Sequence, residues 1–323
     1  MRQTVDLPTA VECAMRAPSV HNTQPWRWRF RGGAVELHAD WKRQLVATDP
    51  DRRDLVLSCG AALHHLLVAL AAAGHAADVN RLPDPEDPGH VATVTVRPGP
   101  ADPADAALFP AIARRRTDRR RMSGRQVPDG HLIQLSDHAR RNGAALLPLT
   151  DEAMQRRLRT ALADAALRQH FAPGYVAELE VWTRRYEAAR DGVSGASVPE
   201  APAEDSPLRR FPHGHLAQPP GPESTGDAAE LLVLATTQDG PLDRLRAGEA
   251  TSAVLLAATL LGLATTPLSQ AVEVDQTRRA IQRDVLHVPE HPQLILRVGW
   301  PAEGAGELPV TPRRDLWEVQ LPS

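Results

Sequence analysis

The strongest limit on how this chain can fold is a pair of alanine-rich stretches set a fixed distance apart. Residues 60–74 read GAALHHLLVALAAAG and residues 248–262 read GEATSAVLLAATLLG, offset by 188 at both ends (248 − 60 and 262 − 74). Each reads as a buried helix, apolar on nearly every face. Small residues at matched positions let two such helices approach closely, and the glycine at each end suits a left-handed helix stop. Strand-like runs follow, Val91–Val96 after the first and Leu294–Val298 after the second. A second correspondence joins Leu7–Arg16 to Pro128–Arg140, both helical patterns introduced by a proline. They lead to the strand-like runs Pro25–Phe30 and Ala144–Leu149. A chain that repeats itself in this way is expected to form two like halves, 1–103 and 104–323.

The second correspondence has a shorter offset than the first, so the second half carries an insertion, placed at 151–226. Its first part, Asp151–Arg190, has apolar residues at helical spacing and predicts one or two helices. Its second part, 191–226, is rich in Pro, Gly, Ser and Ala and buries little apolar surface. It predicts a long loop, either a lid over a site or a plain surface excursion. Leu208, Arg209, Arg210 and Phe211 are the anchors a lid would use.

Composition narrows the function classes. With 37 basic and 40 acidic residues the formal charge is −3, which gives no electrostatic footprint for nucleic acid or an anionic membrane. Cys13 and Cys59 are too few for a disulfide framework, lack metal-ligand spacing, and sit in apolar helical patterns as buried thiols. The apolar run around Val254–Leu263 is too short to span a bilayer, and the N-terminal stretch lacks the apolar core of a signal peptide. A reducing cytoplasm is the expected location. No glycine-rich nucleotide cradle, no G-x-S-x-G elbow and no metal motif occurs, His64-His65 lacking an acidic partner at ligand spacing.

Four segments carry chemistry. Ala17–Trp26 reads APSVHNTQPW, a loop stiffened by Pro18 and Pro25 and packed with hydroxyl, amide and imidazole groups. It suits a planar hydrogen-bonding ligand, or is a turn whose polar groups satisfy only local backbone. Arg114–Arg121 holds six arginines around Thr117 and Asp118. Guanidinium forks pair with phosphate, although a solvated basic helix end has the same look. Pro309–Glu318 holds Arg313 and Arg314 between prolines, for a phosphate contact or a surface ion pair. Leu263–Gln270 reads as a proline turn after the second repeat helix, able to present backbone groups to a ring.

In this order the segments resemble the nitroreductase family of FMN proteins. The histidine in the loop, Asp49-Pro50-Asp51-Arg52-Arg53 and Ser58-Cys59-Gly60 resemble more narrowly its Acg-like subfamily, in which two nitroreductase-like halves share one chain. The implied fold is α+β, internally duplicated, with helices around mainly antiparallel sheets and a lid-like insertion. By this resemblance Arg115, Arg116, Thr117, Arg119, Arg313 and Arg314 hold the FMN phosphate. Pro18, Ser19, His21, Asn22 and Gln24 form the loop against the cofactor, with His21 either a polar contact or loop packing. Pro267, Leu268 and Ser269 face the ring. The family often keeps an Asn and a Lys before the second-half central strand; the corresponding stretch here, Pro219–Ser224, has neither.

The implied activity is electron transfer from NADPH or NADH through FMN to nitro compounds, quinones or similar acceptors. The alternative is an FMN-sequestering protein with a covered flavin. No catalytic residue is singled out, because the cofactor carries the chemistry. The first half lacks an R-R-T-x-R segment, and the second half's counterpart of the loop, Ala139–Ala145, lacks Ser and Gln. One site per chain, assembled from both halves of a monomeric pseudo-dimer, is therefore expected. The implied partner is a small-molecule acceptor, with no nucleic acid, membrane or metal.

Overall fold

A computed structural model describes residues 6–185, 188–200, 207–219 and 227–322. Two four-stranded antiparallel sheets have the same strand order. The first is built from β1 (Trp26–Arg31), β2 (Ala34–Ala39), β3 (Ala76–Arg81) and β4 (His90–Arg97), in the order β1-β2-β4-β3. The second uses β5 (Ala145–Pro148), β6 (Glu230–Thr236), β7 (Ala264–Leu268) and β8 (His291–Gly299), in the order β5-β6-β8-β7. Even the register slips match: one lies between Leu37 and His38 in β2, the other between Leu234 and Ala235 in β6. The α+β class expected from the sequence is the one observed.

Helices surround the sheets and start where the sequence supplies caps. In α1 (Leu7–Ala14) the Asp6 carboxylate accepts from the Thr9 amide at 3.3 Å, ahead of Pro8 in the first turn. In α3 (Pro103–Arg114) Asp102 does the same for Ala104 at 2.9 Å. The second-half counterpart of α1 is α4 (Asp129–Arg141). The first part of the insertion forms α5 (Glu152–Phe171) and α6 (Tyr175–Thr183), the helices its apolar spacing predicts.

The two repeat stretches become α2 (Arg53–Ala72) and α7 (Pro241–Leu260), which cross at the centre of the molecule. Their matched glycines meet there. A Cβ on Gly60 would stand 2.0 Å from the Leu245 carbonyl oxygen, and one on Gly248 would stand 2.0 Å from that of Leu57. Only glycine permits backbones this close. Further along the seam His64 and His65 each place Nδ1 2.7 Å from Ser252 Oγ. Burial drives the His64 pKa down to about 3, so this pair consists of neutral core imidazoles. By length and hydropathy α2 is long and apolar enough to cross a membrane, yet 17 of its 20 residues are buried inside the protein. Cys59 on α2 is buried and Cys13 on α1 half-buried, both as free thiols.

One expectation is corrected. Leu263–Gln270 is not a bare proline turn, because Ala264–Leu268 pairs with β8 as strand β7. Pro267 is tolerated since β7 is the outer strand of its sheet and needs no amide on its open edge. The short helices α8 (Gln270–Glu273) and α9 (Asp275–Ala280) and a π-helical turn, Ile281–Leu286, then lead into β8.

Candidate functional site

The loop 17–25 is held by its own hydroxyl and by α2. Ser19 Oγ accepts the Gln24 amide at 2.9 Å, and the Ser19 carbonyl accepts that of Asn22 at 3.0 Å. The Val20 amide donates to Ser58 Oγ at 3.1 Å. Inside this frame His21, Asn22 and Gln24 have φ of 44°, 54° and 49°. Three side-chain-bearing residues in the left-handed region within four positions carry a conformational cost that the surroundings must offset. Gln24 supplies much of that offset. Its Nε2 donates to the Arg190 carbonyl at 2.7 Å, and its Oε1 accepts the Arg314 amide at 2.8 Å. Asn22 Nδ2 reaches the Pro312 carbonyl at 3.3 Å.

The arginine segment leaves α3 as extended chain and zips onto β7. The Asp118 amide donates to the Thr265 carbonyl at 3.0 Å, and Thr266 Oγ1 donates to the Asp118 carbonyl at 2.5 Å. Extended chain alternates its side chains. Asp118 and Arg120 turn one way and pair with each other at 2.9 Å. Arg115, Thr117 and Arg119 turn the other way, into a cleft between the two halves.

The wider end of this cleft is bounded by the loop at Ser19 and His21, by Asp54 and Ser58 of α2, and by Pro267, Leu268 and Ser269. The narrower end is bounded by Asn22, Arg115, Arg116, Thr311 and Arg313. Pro18, Ser19, His21, Thr117 and Arg119 border both ends, so they form one continuous groove.

The narrow end is cationic. Burial, then Arg116, brings the Arg115 pKa down to about 10. Burial, then Arg209, brings Arg119 to about 10. Burial, then Arg115, brings Arg313 to about 9. All three remain charged at neutral pH, and no carboxylate borders that end among the described residues. Arg115 Nε and Nη1, both ring nitrogens of His21 and Asn22 Oδ1 are buried without a hydrogen-bond partner among those residues. Polar atoms left so are costly unless a ligand meets them. Arg313 differs: its guanidinium donates to the carbonyls of Met15, Arg16 and Ala17, closing the end of α1, so it offers the narrow end its charge rather than its hydrogens.

A strap from the insertion, 207–212, crosses the wide end. Phe211 meets the His21 ring edge-on at 5.2 Å, and the Arg119 guanidinium lies 5.2 Å from the Phe211 ring centre. Arg209 donates to Tyr175 Oη at 2.7 Å and forms a buried ion pair with Glu273. Glu273 also accepts from Ser269 Oγ at 2.6 Å and Gln169 Nε2 at 2.5 Å. Burial works to raise the Glu273 pKa, but Arg209 and these donors hold it below the usual carboxylate value.

No family model matches the sequence. The chain is 44% identical over 311 residues, 96% of its length and 90% of the relative's, to a "Putative NAD(P)H nitroreductase" of Mycobacterium tuberculosis. It is 36% identical over 318 residues, 97% of its length and 94% of the relative's, to the "Putative NAD(P)H nitroreductase acg" of the same organism. The chain belongs to the nitroreductase family. Among solved structures, a Bacteroides fragilis nitroreductase with bound FMN aligns at 15% identity, covering 62% of this chain and 91% of that one, with a TM-score of 0.40. The FMN-dependent nitroreductase NfnB of Mycobacterium smegmatis, in complex with NADPH, aligns at 16% identity over 69% of this chain and all of that one, with a TM-score of 0.42.

For a nitroreductase-family chain, the residues named from sequence divide into two groups. Pro18, Ser19, His21, Asn22, Arg115, Arg116, Thr117, Arg119, Pro267, Leu268, Ser269 and Arg313 border the groove. Gln24 and Arg314 do not: they lie behind the loop and brace it against the C-terminal segment. Of the family's Asn/Lys stretch, only Pro219 is described; 220–224 lie outside the described residues. Sequence reading passed over Asp54 and Glu273 and used Ser58 only as part of the subfamily resemblance. Asp54 looks like an ordinary helix-start acid, and nothing local links it to a glutamate more than two hundred residues away.

Proposed function

We propose that this nitroreductase-family chain binds one FMN per chain as a monomer and passes electrons from NADPH or NADH to a small-molecule acceptor such as a nitro compound or quinone. The observation that carries this is Arg115, buried among like charges with Nε and Nη1 unpaired among the described residues at the narrow end of the groove. A phosphate is the partner such a fork lacks. Arg116, Thr117 and Arg119 border the same run of groove, and the wide end at Pro267–Ser269 would take the ring. FMN, when bound, supplies the two-electron chemistry. The chain's own residues orient it, place positive charge at its anionic end and, through the strap, limit access of water.

Arg115→Ala removes a charge-assisted contact of roughly 1.5–3 kcal/mol, so FMN should bind about 10- to 150-fold more weakly. Flavin fluorescence recovered on dilution measures this, and a variant that purifies fully yellow contradicts the phosphate placement. Saturation at two flavins per chain would contradict the single composite site.

A second reading is favoured by the strap. Phe211 and Arg209 already stand over the wide end, as expected of a protein that stores FMN and excludes nicotinamide. Anaerobic mixing with NADPH or NADH separates the two. Loss of the blue flavin absorbance within catalytic times supports the oxidoreductase. Persistence of colour, relieved by deleting Val193–Gln218, supports storage.

A further inference from the structure

The first turn of α2 sets Asp54 in the wall of the wide end, beneath the strap. The residue is 4% exposed, and its Oδ2 is buried with no hydrogen-bond partner among the described residues. Its neighbour is another carboxyl, that of Glu273, whose charge acts on it. Two neighbouring buried carboxyls do not readily ionise together, so one is favoured as the neutral acid.

Their other partners decide which. Glu273 is met by Arg209, Ser269 and Gln169, all donors, and is the anion. Asp54 Oδ2 has no such donor among the described residues. Behind it stands Asp49, whose carboxylate accepts the Leu55 amide at 2.9 Å and adds like charge. Burial, then Asp49 and Glu273, push the Asp54 carboxyl well above its ordinary value, against the opposing pull of Arg209. Burial pushes Asp49 itself up to about 7. His21, the other titratable group on this wall, is held neutral by burial, Arg209 and Arg119 and is a far weaker acid. Burial and like charge thus favour the neutral carboxylic acid form of Asp54, in the wall of the wide end.

We propose that Asp54 is the proton donor of this cleft, protonating the electron acceptor as it is reduced, with Glu273 and Arg209 as positioning residues. The role rests on the oxidoreductase reading above. Converting a quinone to a hydroquinone takes two electrons and two protons. Both electrons and one hydrogen arrive as a hydride equivalent that originates in the nicotinamide. The second hydrogen comes from Asp54. Its O–H bond breaks, an O–H bond forms on the quinone carbonyl oxygen, and Asp54 is left as a carboxylate. Two adjacent carboxylates are unfavourable, so Asp54 recovers a proton from water as the product leaves.

Two measurements test this. Infrared spectra of the yellow protein at neutral pH should show a protonated-carboxyl C=O band that shifts when aspartate carboxyls carry ¹³C and that Asp54→Asn removes, which separates it from Asp49. That arm needs no turnover, and absence of the band, or its survival unchanged in Asp54→Asn, overturns the proposal. In the second, protein reduced with dithionite is mixed anaerobically with a benzoquinone. Asp54→Asn should reoxidise about 10²-fold or more slowly, within the range for loss of a general acid, and should lose the solvent deuterium isotope effect. Asp54→Glu, which keeps the acid, should recover part of the rate. Asp54→Asn keeping pace with the wild type overturns the donor role alone. Wild-type protein that no quinone reoxidises overturns the donor role and the oxidoreductase reading together.

Discussion

Gly248→Ala is expected to cost about 1–3 kcal/mol of stability or more and to lower the yield of soluble protein. The added methyl would lie 2.0 Å from the Leu57 carbonyl oxygen and 2.8 Å from the Gly60 Cα, both backbone atoms. No side-chain rotation can clear them. Relief requires α2 and α7 to separate, and each is buried along most of its length in cores that have no slack. Gly60→Ala makes the reciprocal clash with Leu245 and should behave alike, the pair together giving no rescue. Gly130→Ala on α4 is the control: nothing lies within 4 Å of its Cβ position, and alanine is the better helix former. Urea unfolding of the three variants measures this. A Gly248→Ala midpoint equal to the wild type would mean that the helices do not cross at these glycines.

Arg209→Ala should release the strap. It deletes the cation facing Glu273 and leaves a buried carboxylate beside the Asp54 acid, and breaking a buried pair from one side costs about 3–5 kcal/mol. Part of that cost falls on the docked strap itself, so two readouts should move together. Limited proteolysis should cut near 207–212, and bound FMN should dissociate faster. Arg209→Lys, which keeps charge but loses the fork that spans Glu273 and Tyr175, should fall between. The acid dependence has a definite sign. The folded-state pKa of Glu273 lies below its ordinary 4.5, so the stability it contributes is present above that value and is lost as pH falls through the lower one. Strap release should therefore appear in acid and not in alkali. An Arg209→Ala protein with wild-type proteolysis and FMN release would contradict the assignment.

Much of the site was legible because its signals act within a few residues. Pro18 and Pro25 frame a polar loop whatever surrounds it, and the alternation of Arg115, Thr117 and Arg119 follows from extended backbone. Gln24 and Arg314 show the limit of such reading. They sit in the same motifs as the groove residues and offer the same chemistry, yet Gln24 Oε1 and the Arg314 amide are used up on each other. A motif gives the kinds of groups present; the direction each side chain takes depends on the strained φ values and on chain brought in from the C-terminal end. β7 was read as a turn because of Pro267, and only its place on the outside of the sheet makes a proline strand acceptable.

The order of amino acids was enough to predict a matched helix pair and to set a cationic segment apart from a polar loop. Helical period, glycine spacing and proline act locally and leave their mark on any chain that carries them. Tertiary structure alone decided that Gly60 and Gly248 touch, that Phe211 covers His21, and that Asp54 is buried near the Glu273 carboxylate and the charge of Arg209. Those three depend on burial and on charges brought together from distant parts of the chain, and neither desolvation nor long-range proximity has a counterpart in local sequence.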